Sequence, residues 1–250
     1  MSGLSRRTLL AVGWLPLAAA AVPLLARLQP PEEERLAEFA TSLAGRSPAQ
    51  RHNALWAARR LDGAVIAPGQ TFSFNRQVGP WTRDAGVQRA PASFGGILVP
   101  SWGGGVCQVS TTLYCAALLA GLVVRERHPH ELAPGYIPAG LDAAVAYGIA
   151  DLRIENSLAR PLRIRCTIGN EKLTCTLVAA LRGDDRPRYR LVRELVASRL
   201  PPTLTAHRPQ SGRPGVRVRL WRIEQTPDGP GRRELCHETE YSALPHTRTL

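Results

Sequence analysis

The chain has 250 residues, 44% of them hydrophobic, and carries 32 Lys plus Arg against 20 Asp plus Glu, a formal charge of +12. That length and apolar content support one substantial core with a smaller appended module, and exclude a chain too polar to bury one. The charge predicts attraction to polyanions, whether nucleic acid, anionic lipid or wall polymers, and composition does not choose among them.

The N-terminus does. Ser5-Arg6-Arg7 precedes an uncharged run from Leu9 to Ala26. A basic start followed by an apolar stretch with alanines near its end reads as a secretory signal, and the paired arginines read as the twin-arginine kind. Gly13, Pro16 and Pro23 interrupt the run, so a cleaved signal, an uncleaved anchor and a buried core helix all stay open. The first two place the folded part outside the cytoplasm. Nucleic acid is then not the expected partner, and the positive charge is expected to face anionic envelope polymers or a lipid surface.

Residues 29–62 read as a helical lead-in: Pro30-Pro31-Glu32-Glu33-Glu34 has the prolines and acids of a helix start. Ser47-Pro48 opens a second helix that ends at Gly63, with Leu55, Ala58 and Leu61 inward. Ala64–Ile66 and Thr71–Phe74 predict short strands around a Pro68-Gly69 turn. Residues 79–105, rich in Gly, Pro and Trp, read as a loop. After Gly103-Gly104-Gly105, apolar residues at Val109, Leu113, Ala116, Ala117 and Ala120 mark a helix with one buried face, stopped by Gly121.

Cys107 falls at the start of that helix, where unpaired N–H groups and the macrodipole favour a thiolate. The glycines are expected to let a substrate approach the sulfur closely. Further strands are predicted near Val123-Val124, Tyr136-Ile137, Ala143–Ala146 and Leu152–Ile154. Leu162–Ile168 and Lys172–Leu177 alternate around Gly169-Asn170-Glu171, as in a hairpin that faces Cys166 towards Cys175. These two cysteines are either a disulfide or a reduced core pair. Cys107 and Cys115, on one helix, stand about 12 Å apart and cannot bridge. Arg182–Pro187 reads as a linker, and Val216–Ile223 with the turn at Asp228–Gly231 predicts a small β module over 182–250.

These pieces resemble the VanW family. The matching residues run in order: Pro68–Asn75 with Val78-Gly79; Gly103–Tyr114; His130; Tyr136, Pro138 and Gly140; Asp142-Ala143; and Asp151-Leu152 with Asn156. They fall within a domain set at 63–181. Glu131 departs from the serine that follows the histidine in the family pattern. The resemblance implies an envelope setting and a link to cell-wall peptide or glycopeptide response, with peptidoglycan or its stem peptides as partner. It implies no established reaction.

The chain is therefore expected to be α+β, a compact mixed domain whose Cys-bearing helix packs on an antiparallel sheet, plus the C-terminal β module. The order of a cysteine opening a helix, then a histidine, then an aspartate is also similar to transglutaminase-like and papain-like enzymes. In that reading Cys107 attacks an acyl carbon, His130 relays the proton, and Asp142, or Asp151 in its place, orients the imidazole. Gly104, Gly105, Gln108, Ser110 and Asp151 are the expected binding residues, with helix-start amides and Gln108 as candidate oxyanion donors. His128 and His130, two apart, would share a face of a strand with Cys107 as third donor, but without a CxxC or HExxH spacing this predicts no metal, and no cofactor is expected. A lone Glu126 between arginines is a weak candidate acid for glycan cleavage. The rival to an enzyme acting on peptidoglycan peptides is a non-catalytic wall-binding or scaffolding module.

Overall fold

A computed structural model describes residues 33–94, 97–180, 188–206 and 209–249. The expected signal or anchor at 1–28 and the expected linker at Arg182–Pro187 lie outside the described residues. Among the described residues no helix is long and apolar enough to cross a membrane.

Local chemistry starts the first helix. The Gln50 N–H donates to Ser47 Oγ at 3.2 Å and the Ser47 N–H donates back to Gln50 Oε1 at 3.1 Å. With Pro48 in the first turn, this reciprocal cap opens helix α1, Pro48–Leu61, and such a cap contributes about 1 kcal/mol.

The helical lead-in is overturned upstream of it: Glu33–Ser42 is a strand, β1. Its partner is β9, Lys172–Ala180, in register from Glu33 opposite Ala180 to Ser42 opposite Lys172. The helix preference of a Glu- and Ala-rich run is worth only tenths of a kcal/mol per residue, and a full ladder overrides it. A bulge between Arg35 and Ala37 shifts the register and Leu36 is buried there.

Strand β8, Leu162–Gly169, and β9 form the expected hairpin. Asn170 and Glu171 both take positive φ, 49° and 56°, as a two-residue primed turn demands. Cys166 lies opposite Cys175; both are buried and free, with sulfurs 2.7 Å apart. Strand β2, Val65–Ile66, completes an antiparallel sheet in the order β1-β9-β8-β2.

Helix α3, Val106–Leu119, packs on β1 and β9, while α1 packs on β8 and on α3. The one-sided helix expected from sequence is instead buried nearly all round, Ser110, Thr111 and Thr112 included. A second layer covers its other side. That layer is the small sheet of β3 (Thr71–Ser73), β7 (Arg153–Glu155) and β6 (Val123–Glu126), together with the C-terminal strands. A short helix α2, Phe74–Val78, follows β3. The region read as a loop contains a hairpin, β4 (Arg89–Phe94) with β5 (Ile97–Trp102). Tyr136-Ile137 is not a strand, and Ala143–Ala146 contributes only isolated bridges, His128 to Ala144 and Ala146 to Ala150.

The C-terminal β module is present. Strands β10 (Tyr189–Arg199), β12 (Gly215–Thr226) and β13 (Gly229–Tyr241) make an antiparallel sheet in that order. β11 (Thr203–Thr205) and β14 (His246–Arg248) pair beside it. The module is not free-standing: Leu220 is part of the main core, and Val218 and Tyr241 pack with Ala139. The molecule is thus a mixed α+β domain with a docked C-terminal β module.

Candidate functional site

The three glycines before Cys107 are filled by the chain itself. A Cβ on Gly104 would lie 2.4 Å from the Pro91 carbonyl oxygen, and one on Gly105, at φ +112°, would lie 2.3 Å from that of Gln50. Asn53 Nδ2 donates to the Gly104 carbonyl and Gln50 Nε2 to that of Pro91, at 2.9 and 3.0 Å. The glycines therefore let α1, β4 and the start of α3 close on one another. The space expected for a substrate is occupied by protein.

Gln108 and Ser110 are committed to the frame as well. Gln108 Nε2 donates to Thr41 Oγ1 and the Ser42 carbonyl at 3.0 and 2.8 Å, and its Oε1 accepts from Arg46 Nε at 2.9 Å. The Ser110 hydroxyl reaches the Ala143 carbonyl at 2.7 Å. Asp151 caps α2 by accepting from Ser73 Oγ at 2.5 Å and the Asn75 N–H at 2.8 Å. The Ser110 hydroxyl also donates to the Cys107 backbone carbonyl at 3.1 Å, but none of these side-chain contacts reaches the Cys107 sulfur or the His130 imidazole.

The structure does bring Cys107, His130 and Asp142 together. Cys107, half-buried in the first turn of α3, lies 3.5 Å from the Val145 N–H donor and 3.4 Å from its carbonyl. The loop after β6 carries His130 beside it. The imidazole Nδ1 is 2.7 Å from Asp142 Oδ2, and the same oxygen accepts the His130 backbone N–H at 2.8 Å. Nδ1 is thereby occupied, and Nε2 is the nitrogen left for the sulfur.

Asp142 is fully buried. Its other oxygen accepts from Arg127 Nη2 at 2.9 Å and from the Tyr241 hydroxyl. Arg127 also donates through Nε to the Asp142 carbonyl at 2.8 Å and through Nη1 to Thr239 Oγ1 at 2.9 Å. The Tyr241 hydroxyl accepts the Gly140 N–H at 2.8 Å. Four donors converge on one carboxylate, two of them from His130 and one from the C-terminal module.

The charges follow from these contacts. Burial pushes the Asp142 carboxyl up, but the His130 hydrogen bond and the Arg127 charge outweigh it and hold the group at about 2. Burial pushes His130 down, yet its hydrogen bonds to Asp142 and Cys107 raise it to about 10. For Cys107, burial pushes the thiol up and the hydrogen bond and charge of His130 pull it down further, leaving it below the ordinary value. Both shifts run in the direction of a thiolate beside an imidazolium. Cys115, buried mid-helix, moves the other way, well above the ordinary value through burial.

Sequence reading gave no site role to Arg127, Thr239, Tyr241 and Arg46, nor to Tyr136, which it named only among the family matches and in a short strand. The Tyr136 hydroxyl donates to the Cys107 carbonyl at 3.1 Å, and its ring stands edge-on to His130 with centres 6.5 Å apart. His128 turns away from His130 to pair with Glu126 at 2.9 Å, and Glu126 Oε1 also accepts the Asp151 N–H. Among the described residues no group of three or more His, Cys, Asp or Glu side chains is arranged to hold a metal ion. A cleft of about 560 Å³ opens between β6 and β13. Arg127 and Thr239 line it, but Cys107, His130 and Asp142 do not, so it is a separate feature from the thiol.

Residues 49–178 match the family model described as VanW like protein. The uncharacterized protein YoaR of Bacillus subtilis (strain 168) is 35% identical over 147 residues, 59% of this chain and 48% of that protein. The vancomycin B-type resistance protein VanW of Enterococcus faecalis (strain ATCC 700802 / V583) is 32% identical over 122 residues, 47% of this chain and 44% of that protein. The chain thus spans less than half the length of these relatives. No solved structure matches it.

Proposed function

The chain belongs to the VanW family, and from that premise we propose that it works at the cell envelope as a cysteine-dependent acyl transferase or amide hydrolase on peptidoglycan peptides. The envelope setting is supported by the basic start at Ser5-Arg6-Arg7, the uncharged run that follows, and the resistance-protein relative. The observation that carries the chemistry is the His130 imidazole held at 2.7 Å on the buried Asp142 carboxylate, with the Cys107 thiol near enough for that imidazole to pull it down.

In this reading the Cys107 thiolate attacks an amide carbonyl carbon while the imidazolium Nε2 gives its proton to the departing amine. The C–N bond breaks, a thioester forms, and neutral His130 then takes a proton from water or an acceptor amine as it attacks the thioester. That second step releases the acid or the new amide and restores the thiolate–imidazolium pair. Asp142 keeps the proton on Nδ1 and stays ionised throughout. The Gln108 side chain is already engaged, and the Val106 and Gln108 N–H groups donate to the Gly103 and Gly105 carbonyls at 2.9 and 3.2 Å, so in this reading the Cys107 N–H is the helix-start donor assigned to the nascent oxyanion. The likeness to transglutaminase-like and papain-like enzymes lies in this order of parts alone.

The test is alkylation of Cys107 by iodoacetamide across pH, followed by mass. A midpoint well below about 8.5, the free-thiol value, that returns towards it in His130→Ala supports the reading. An ordinary midpoint leaves a non-catalytic wall-binding module as the better description. Incubation with muropeptides, comparing the native chain with Cys107→Ser, then reads turnover directly.

A further inference from the structure

Arg46 is held firmly, but no carboxylate among the described residues pairs with it. Its Nε donates to Gln108 Oε1 at 2.9 Å, and its Cζ lies 4.5 Å from the centre of the Tyr136 ring. Gln108 follows Cys107 in the chain, and Tyr136 bonds the Cys107 carbonyl on one side and meets the His130 imidazole edge-on. A single aromatic ring therefore touches both the guanidinium and the imidazole.

Among the described residues, the strongly buried arginines are answered: Arg127 by Asp142 and Arg222 by Glu234. Arg46 is pushed down by burial, and the group that raises it is the Tyr136 phenol, with no carboxylate contributing. A half-buried guanidinium with a fixed plane and free N–H donors is built for a carboxylate, which it meets through two parallel hydrogen bonds. The Nε bond to Gln108 and the contact over the Tyr136 ring hold the guanidinium in place before any ligand arrives, so less freedom is lost on binding.

We propose that Arg46 is an anion subsite that binds a carboxylate of the peptide substrate close to the bond attacked by Cys107. This deepens the thiol reading by naming a substrate class: peptides with a carboxylate beside the scissile amide, at the C-terminus or on a neighbouring side chain. Neutral amides are the poorer ligands.

Two alkylating agents of nearly equal size test it, iodoacetate carrying the charge and iodoacetamide lacking it. The rates at Cys107 are measured by mass and their ratio is taken within each variant. Arg46→Gln is expected to lower the iodoacetate-to-iodoacetamide ratio roughly tenfold, the effect of removing one nearby charge in a half-buried site. Arg46→Lys should retain part of it. A ratio that is the same in the native chain and in Arg46→Gln, at matched thermal midpoints, overturns the proposal.

Protection of Cys107 by short peptides separates the two sources. Protection by a free peptide acid but not by its amide assigns the C-terminal carboxylate. Protection by an amide bearing an acidic side chain assigns the side chain. The iodoacetamide pH midpoint is read independently, so an ordinary midpoint with an Arg46-dependent ratio would sink the nucleophile and leave the anion subsite standing.

Discussion

Replacing Tyr241 by Phe removes one oxygen from the fully buried end of β13 and leaves the ring in place. That oxygen donates to Asp142 Oδ1, accepts the Gly140 N–H at 2.8 Å, and lies 3.2 Å from Arg127 Nη2. A hydrogen bond to a charged group contributes about 1.5–3 kcal/mol, and a buried N–H left unpaired adds about 1–3 kcal/mol. Packing is preserved, so these polar terms decide the outcome. The expected loss is about 2.5–6 kcal/mol in urea unfolding, or roughly 5–25 °C in thermal midpoint for a chain of this size. A double-mutant cycle with Asp142→Asn should give a coupling of at least about 1 kcal/mol, since the two side chains share one contact. A loss below about 0.5 kcal/mol, or zero coupling, would show that the hydroxyl is a bystander and refute the account of how Asp142 is held.

The His130 imidazole, raised from 6.5 to about 10, stabilises the fold fully below pH 6.5, and that stability is lost as pH climbs through 10. Asp142, lowered from 3.8 to about 2, acts with the opposite sign: its contribution is present above 3.8 and lost as pH falls through 2. Urea midpoints should therefore plateau between these limits, and His130→Gln should flatten the alkaline limb; an unchanged limb would remove His130 as its source. Gly105→Ala forces a Cβ against the Gln50 carbonyl at positive φ and should cost about 3 kcal/mol or more, whereas Gly148→Ala, also at positive φ but in open space, should cost about 1 kcal/mol. Equal costs in thermal unfolding would contradict the close packing described for the glycine turn. Gln108→Ala removes three side-chain hydrogen bonds at the helix start and should cost about 2–4 kcal/mol, read in the same assay.

What the sequence made legible was local. Helix α3 announced itself through spacing and a glycine entry, and the β8–β9 hairpin through alternation and its turn, down to Cys166 facing Cys175. Cys107, His130 and Asp142 could be named from the order of motifs, and they meet. The errors are those that distance in the chain produces. β1 looks helical until β9 is there to pair with it, and the β4–β5 hairpin hides in glycine- and proline-rich sequence. Asp151 and Asp142 were indistinguishable by order, because only three-dimensional placement makes one a helix cap and the other an imidazole partner. Tyr241 had no signal at all: it joins Asp142 across 99 residues from a strand whose own motif says nothing about the cysteine.

That long reach orders events during synthesis. The cysteine helix and the histidine loop emerge first, yet the aspartate gains its tyrosine only once β13 has been made and has docked. A nascent or trimmed chain would carry the thiol and the imidazole without the latch that steadies their carboxylate. Loss of β13 would free one oxygen of Asp142 from its tyrosine and strip Arg127 of Thr239, so the C-terminal strand and the histidine loop stand or fall together.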